Sequence, residues 1–121
     1  MSPELPSTFR ISLNSFYGRS FSLILRDSKL LYNSTRPSNK IVRDPSDYDW
    51  QKFWKKTVLL KIWLWENEYL DKSSSDGSNW SVNIEVGNLK VKSYGSNSYP
   101  DNFDEFIQSV KELTAGLEFQ K

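Results

Sequence analysis

Apolar and polar residues alternate in several stretches of the first third of the chain. Apolar residues occupy every second position within 8–14, within 21–26 and again at Leu30 and Tyr32. Alternation with a period of two is typical of strands that bury one face. The pattern therefore predicts one strand over 8–14, followed by a hairpin of two strands that turns at Asp27-Ser28.

The spacing of apolar residues becomes helical after residue 46. Ser46 is a favourable N-cap, and Asp47 and Asp49 follow it in the first predicted turn. The next apolar positions obey the i, i+3, i+4, i+7 rule of a helix face, namely Trp50, Phe53, Trp54 and Thr57. These signals predict a first helix, and the Asn-, Ser- and Pro-containing residues 33–45 predict a long loop before it.

Alternation returns in the second half of the chain. Leu60, Ile62 and Leu64 alternate with Lys61, Trp63 and Trp65, which predicts a strand over 60–68. A second hairpin is predicted by the alternation of 80–85, the turn pair Gly87-Asn88 and the apolar residues of 89–91.

A second amphipathic helix is predicted near the end of the chain. Tyr99-Pro100 precedes it, and Gly116 is a plausible C-terminal stop. Its apolar residues fall on one stripe, which consists of Phe103, Phe106, Ile107, Val110 and Leu113.

These elements together predict an α+β fold. We expect a six-stranded antiparallel sheet with two helices on one face, in the order βββα-βββα, within a single domain of residues 1–121. Residues 1–7 are interpreted as a flexible arm, 8–59 as the first unit and 60–117 as the second. The apolar positions of 21–30 and 80–89 match at a constant offset. This match suggests an internal duplication, although any two hairpin-plus-helix units align in this way.

Composition narrows the chemistry that this chain can perform. The 121 residues include 16 basic and 15 acidic residues, so no strong overall charge draws the chain to nucleic acid or to a membrane. There is no Cys and no His, which excludes disulfides, thiolate chemistry and imidazole as a metal ligand or general base. We therefore expect neither a cofactor nor enzymatic activity. Without a signal-like start or a membrane-spanning apolar run, the chain is predicted to be cytoplasmic and not to bind membranes.

Two short motifs carry a resemblance. Asp76-Gly77-Ser78-Asn79-Trp80 forms DGxxW, and the segment from Gly95 to Phe103 forms GxNxYPxxF. This pair resembles motifs of small bacterial proteins for which no activity is established, over residues 48–115. The resemblance implies kinship but no function. The motif residues fit turns and a strand-to-helix junction, whereas the alternative is a functional junction in which Asn97, Ser98 and Tyr99 present polar groups near a helix start.

Two pairs of nearby carboxylates are candidates for a catalytic acid and base. Asp47 and Asp49 fit the electrostatics of a helix start. Glu66 and Glu68 are spaced to share one strand face, but solvated charges at a strand end are far commoner than catalysts. No catalytic residue is predicted.

Strand alternation indicates one candidate binding surface. If both helices cover one face of the sheet, the other face is left basic and aromatic, and two neighbouring Trp side chains on it would form an apolar patch that attracts a partner. The predicted partner-binding residues are Trp63, Trp65, Lys61, Arg10, Arg26, Lys29, Lys90, Lys92 and Tyr94. Alternatively, the arm or the 33–45 loop covers the Trp pair, the helical period persists to residue 65 and buries it, or two sheets pack together.

The leading functional hypothesis is a non-enzymatic binding module that presents this face to a protein partner. The second hypothesis is single-stranded nucleic-acid binding, in which aromatic residues stack on bases and basic residues meet phosphates. A third is a structural domain that forms homodimers.

Overall fold

The computed structural model describes residues 5–15, 18–35, 38–71 and 77–119. These residues form a mixed seven-stranded sheet and two α-helices. The helices are α1 (Asp47–Leu60) and α2 (Phe103–Leu113), and a 3₁₀ helix spans Ile62–Leu64. The strands are β1 (Thr8–Ser15), β2 (Phe21–Arg26), β3 (Lys29–Ser34), β4 (Asn39–Arg43), β5 (Glu68–Leu70), β6 (Ser78–Val86) and β7 (Leu89–Ser96).

Both predicted hairpins are present, and the first strand lies between them. The strand order is β4-β3-β2-β1-β6-β7-β5. Asp27 and Ser28 have φ values of 53° and 66°, so both lie in the left-handed region that a two-residue hairpin turn requires. In the second hairpin, Gly87 supplies a φ of 56°. The turn residues therefore fix the register of both hairpins.

Both predicted helices are confirmed, together with the predicted start of α1 at Ser46 and the predicted stop after α2 at Gly116. The Ser46 side chain accepts a hydrogen bond from Asp49 N, and the Asp49 carboxylate accepts one from Ser46 N, which completes a capping box at the start of α1. After α2, the chain turns at Gly116, where φ is 91°. The amide of Gly116 donates a hydrogen bond to the carbonyl oxygen of Lys111, which closes the helix end.

The two helices cover one face of the sheet with aromatic side chains. Phe9 on the central strand contacts Trp50 and Phe53 of α1, with ring centroids 5.7 and 5.9 Å apart. Trp80 on β6 contacts Phe103 of α2 at 4.8 Å. The segment after α2 continues this cover, because Phe119 packs against rings on β2 and β3. Burial of this much apolar surface is the main stabilising contribution to the fold.

The predicted strand over 60–68 is wrong. Helix α1 continues to Leu60, Lys61 adopts a left-handed conformation with φ 56°, and the 3₁₀ helix follows. Extended structure begins only at Glu68. The helical period of α1 extends to Leu60, and the apolar residues that follow satisfy a period of two by coincidence. Leu64, expected on the covered face, is consequently 78% exposed.

The predicted loop over 33–45 contains a strand, and the sheet is not purely antiparallel. β4 pairs antiparallel with β3 and forms one edge of the sheet. At the opposite edge, the short β5 pairs parallel with β7. The sheet therefore has seven strands instead of six, and it is mixed.

Strand pairing differs between the two halves of the chain. The strand before the first hairpin, β1, pairs antiparallel with the first strand of that hairpin. The strand before the second hairpin, β5, pairs parallel with the second strand of that hairpin. The structure therefore does not support a repeat of the whole βββα unit.

Some predictions fall outside the described residues. These are residues 1–4 of the predicted arm, residues 36 and 37 of the predicted 33–45 loop, and Asp76 of the first motif. The amide of Ser7, in the described part of the arm, donates a hydrogen bond to the carbonyl oxygen of Glu85. None of the described helices is long and apolar enough to cross a membrane.

Candidate functional site: the open sheet face

Strand register aligns side chains in rows on the face opposite the helices. Residues that pair directly across neighbouring strands point to the same face of a sheet. One row crosses six strands and consists of Val42, Leu31, Ile24, Arg10, Asn83 and Lys92. It is apolar at the β4 end and polar or basic from the central strand onward.

The neighbouring row crosses all seven strands and is almost entirely polar. It consists of Lys40, Asn33, Ser22, Ser12, Ser81, Tyr94 and Glu68. The hydroxyl groups of Ser12 and Ser81 lie 2.7 Å apart and share a hydrogen bond across the centre of the sheet. At the far end, Tyr94 donates a hydrogen bond to the Glu68 carboxylate.

The face that carries these rows is exposed. Along β1, buried Phe9, Ile11 and Leu13 alternate with Arg10 and Ser12, neither of which is buried. The other described members of both rows are likewise partly or fully exposed. We call this surface the open sheet face and define it by the two rows together with the pairs Arg26–Lys29 and Glu85–Lys90.

The open sheet face carries more positive than negative charge. Its described cations are Arg10, Arg26, Lys29, Lys40, Lys90 and Lys92, and its described anions are Glu68 and Glu85. Lys90 Nζ lies 3.2 Å from Glu85 Oε1, so that pair is locally neutral. The remaining excess gives a positive patch on a chain whose formal net charge is only +1.

Tyr94 is perturbed by its neighbour across the β5–β7 ladder. The hydrogen bond that its hydroxyl donates to the Glu68 carboxylate raises the pKa of Tyr94 above the usual 10.0, with desolvation and the charge of Glu68 acting in the same direction. A carboxylate stabilises a neutral phenol by accepting its proton in a hydrogen bond and repels the phenolate. At neutral pH this pair therefore presents one negative charge and an aromatic ring.

The structure separates the nine predicted binding residues into two groups. Six lie together on the open sheet face, namely Arg10, Arg26, Lys29, Lys90, Lys92 and Tyr94. The other three, Lys61, Trp63 and Trp65, belong to the end of α1 and the 3₁₀ helix. The expected projection of both indole rings from the open sheet face is therefore wrong.

Trp65 lies among the aromatic side chains beneath α2. Its ring stacks on Phe103 at 6.0 Å and meets Phe106 edge-on at 5.3 Å. Its Nε1 donates a hydrogen bond to Asn102 Oδ1 at 3.0 Å, and the side-chain Nδ2 of Asn102 donates to the carbonyl oxygen of Leu60. This network holds the end of α1 against the start of α2.

Trp63 and Lys61 lie beside this network. The Trp63 ring packs 6.4 Å from Trp54 of α1 and is partly buried against the core. Its Nε1 is buried and has no hydrogen-bond partner among the described residues. Lys61 is exposed and caps α1, with its amide donating to the carbonyl oxygens of Thr57 and Val58.

The GxNxYPxxF segment forms a structural junction between β7 and α2. Asn97 has a φ of 57°, and its Oδ1 accepts hydrogen bonds from Ser78 N and Ser78 Oγ. The Tyr99 hydroxyl donates to the same Ser78 Oγ at 3.2 Å, and the Tyr99 ring lies 5.0 Å from Phe103. These contacts support the structural interpretation of the motif.

The carboxylates considered for catalysis are not grouped as a pair in a pocket. Asp49 serves the capping box of α1, and Asp47 lies exposed beside it. Only Glu68 of the other pair belongs to a strand, where it accepts the Tyr94 hydrogen bond. Among the described residues, no three acidic side chains are grouped so that they could hold a metal ion.

Sequence reasoning missed the β4 end of the open sheet face and the outer surface of α1. Lys40 and Val42 belong to β4, which was assigned to a loop, and Val42 is 55% exposed. The β-branched pair Ile41-Val42 was the available signal, since such residues are enriched in strands, but the segment is too short to separate a strand from a loop. On α1, Tyr48 and Leu59 are exposed.

No protein family, curated protein or solved structure matches this chain.

Proposed function

We propose that this chain is a non-enzymatic binding module that engages a protein partner through the open sheet face. The observation that carries the proposal is the row from Val42 to Lys92, which crosses six strands without a buried residue while the opposite face is packed under both helices. A broad face that no described element covers is available to a partner.

The composition of the face favours a partner with acidic and apolar groups. Ile24, Leu31 and Val42 supply an apolar strip at the β4 end, and Arg10 continues the same row. Arg26 and Lys29 flank the strip along β2 and β3. Complementary charge around an apolar centre speeds association and fixes orientation more than it adds affinity.

A protein partner is favoured over single-stranded nucleic acid because of where the aromatic residues lie. Stacking on bases requires exposed rings along a basic groove. Tyr94 is the one aromatic residue that the described rows place on the open sheet face, and the Trp63 and Trp65 rings pack on the helix side of the molecule. The resemblance to small bacterial proteins and the cytoplasmic location stay predictions.

The test is affinity capture from cells that produce the chain, with paired variants. The double variant Arg10→Glu/Lys92→Glu reverses charge in the centre of the face, and we expect it to lose the captured protein by at least about tenfold, roughly 1.4 kcal/mol. The control variant Lys55→Glu/Lys111→Glu makes the same change of net charge on the helices and should retain the protein. Equal recovery by both variants would contradict the proposal.

The nucleic-acid alternative has its own measurement. Fluorescence anisotropy of labelled single-stranded oligonucleotides is followed at low and at physiological salt, because phosphate contacts weaken steeply with salt. Under the proposal, no salt-sensitive binding is observed. If an oligonucleotide binds and Arg10→Glu/Lys92→Glu abolishes this binding, the ligand of the open sheet face is nucleic acid and not a protein.

A further inference from the structure

The outer surface of α1 is exposed along three helical turns. Tyr48 is 70% exposed and Leu59 is 75% exposed. Their separation (59 − 48 = 11) equals about three turns, so both lie on one stripe of the helix. Lys52 and Lys55 lie between them on this stripe, and both are exposed. The opposite stripe, which includes Trp50 and Phe53, is buried against the sheet.

Charge is sorted along α1. Acidic residues lie in its first turn and just before it, namely Asp44, Asp47 and Asp49. Basic residues lie farther along the helix and just after it, namely Lys52, Lys55, Lys56 and Lys61. The stretch from Trp50 to Trp65 has no acidic residue. In the described part of the chain, none of these charges forms an ion pair. The helix is therefore electrostatically self-complementary when it is turned end for end.

We propose that α1 pairs antiparallel with α1 of a second copy of this chain. A two-fold axis across the helix pair makes the interface isologous, so that each contact occurs twice. The axis sets the acidic start of each helix against the lysine-rich end of the other. Antiparallel helix dipoles add to the attraction.

In one register of the antiparallel helix pair, apolar residues lie opposite apolar residues and basic residues lie near acidic residues. When Tyr48 lies opposite Leu59 of the second copy, Lys56 falls within one turn of Asp49 of the second copy. In the same register, Lys61 falls within one turn of Asp47 of the second copy. Two exposed apolar side chains thus cover each other at either end of the pair, where partial burial is favourable.

The same register limits the affinity. Lys52 of one copy faces Lys55 of the other at the centre of the helix pair, and the repulsion between these like charges opposes association. A single helix pair also buries less surface than a standard protein interface. We therefore expect a weak dimer, with a Kd of about 10–100 μM.

Self-association through α1 is favoured over packing of sheet against sheet. The open sheet face has an excess of Arg and Lys, so two copies of that face would repel each other. Helix α1 lies on the opposite side of the sheet. A dimer through α1 leaves both open sheet faces uncovered, and the inference does not depend on the proposed function.

The experiment is sedimentation equilibrium from about 10 μM to about 1 mM protein, with variants of reversed charge. In Asp44→Lys/Asp47→Lys the start of α1 keeps Asp49 as its one acidic residue and carries a net positive charge, and in Lys56→Glu/Lys61→Glu both ends carry acidic residues. We expect each variant alone to associate at least about tenfold more weakly than the natural chain. An equimolar mixture should regain association, because basic helices of one variant meet acidic ends of the other.

The control variant Lys90→Glu/Lys92→Glu makes the same charge change as Lys56→Glu/Lys61→Glu, but on the open sheet face, and should dimerise as the natural chain does. Circular dichroism verifies that each variant is folded. If a charge variant loses its helix signal, Leu59→Ser is used in its place. We expect this variant to be folded and monomeric. A natural chain that is monomeric at about 1 mM, folded variants that do not recover on mixing, or loss of the dimer in the control would overturn the proposal.

Discussion

The indole of Trp80 occupies the space in which a side chain on Gly95 would begin. A Cβ atom on Gly95 would lie 2.3 Å from Trp80 Nε1 and 2.6 Å from the carbonyl oxygen of Ser98. The same Nε1 donates a hydrogen bond to that oxygen at 2.7 Å. The two residues face each other in the β6–β7 ladder. Glycine at position 95 therefore lets the indole cross the neighbouring strand and bind the turn beyond it.

Replacement of Gly95 by alanine should destabilise the protein strongly. The new methyl group displaces Trp80, which breaks its hydrogen bond and disturbs its packing on Phe103. We expect the free energy of unfolding to fall by about 2–4 kcal/mol. Urea denaturation of the variant measures the loss. Ser96→Ala, at the next residue, is the control and should cost less than about 1 kcal/mol.

The position of Trp65 makes a second prediction. In the structure its ring packs on Phe103 and Phe106, and its Nε1 donates to Asn102. Trp65→Ala should therefore reduce the free energy of unfolding by about 3–5 kcal/mol, as for other large core residues. If the indole lay on an exposed sheet face, the same substitution would reduce the free energy of unfolding by about 0.5 kcal/mol or less. The size of the loss, from urea denaturation, distinguishes the two placements.

Asn102 gives a more selective probe of the same junction. Its side chain accepts from Trp65 Nε1 and donates to the carbonyl oxygen of Leu60, so Asn102→Ala leaves both groups without this partner. The expected loss is about 1–3 kcal/mol in urea denaturation. Exposed Asp101 is the neighbouring control, and Asp101→Ala should be nearly neutral. Equal effects of the two substitutions would argue against the network.

Much of the fold was predictable because local signals agreed with tertiary packing. Asp27-Ser28 marked one hairpin turn, and Ser46 with Asp49 marked the start of α1. The stripe of α2 matched its buried residues, including Phe103 and Val110. In each case the short-range chemistry and the burial pattern required the same structure.

The end of α1 was not predictable by the same means. A left-handed residue after a helix is usually Gly or Asn, but here it is Lys61, which carries no such signal. Because the helix end was missed, the indoles of Trp63 and Trp65 were assigned to the wrong side of the sheet. The six open-face residues from Arg10 to Tyr94 were predicted together because they lie on regular strands. Long-range contacts, such as the hydrogen bond between Trp65 and Asn102, determine where these indoles lie, and the alternation of apolar residues alone does not reveal such contacts.

The ionisation of Tyr94 provides a fourth prediction. Its hydrogen bond to Glu68 raises its pKa above 10.0. A raised pKa in the folded state means that this interaction stabilises the fold below the usual tyrosine pKa and that the stabilisation is lost as the pH rises through the raised value. NMR titration of the labelled tyrosine ring carbon measures the pKa, with the signal assigned by its absence in Tyr94→Phe.

The matched variant for this titration is Glu68→Gln. It removes the negative charge and weakens the hydrogen bond, so the pKa of Tyr94 should fall toward its usual value. Exposed Glu66 lies two positions away, and Glu66→Gln should leave the Tyr94 titration nearly unchanged. A Tyr94 pKa that is insensitive to Glu68→Gln would show that the two side chains do not interact in solution.

The two faces of β2 make the last prediction. Leu23 is fully buried under the helices, whereas Ile24, the next residue, points to the open sheet face and is partly exposed. Leu23→Ala should cost about 2–5 kcal/mol, because it leaves a cavity in the core. Ile24→Ala should cost about 1 kcal/mol or less, because solvent reaches the space it vacates. If Ile24→Ala costs as much as Leu23→Ala in urea denaturation, another part of the molecule covers the face, and the surface proposed for the partner is not free.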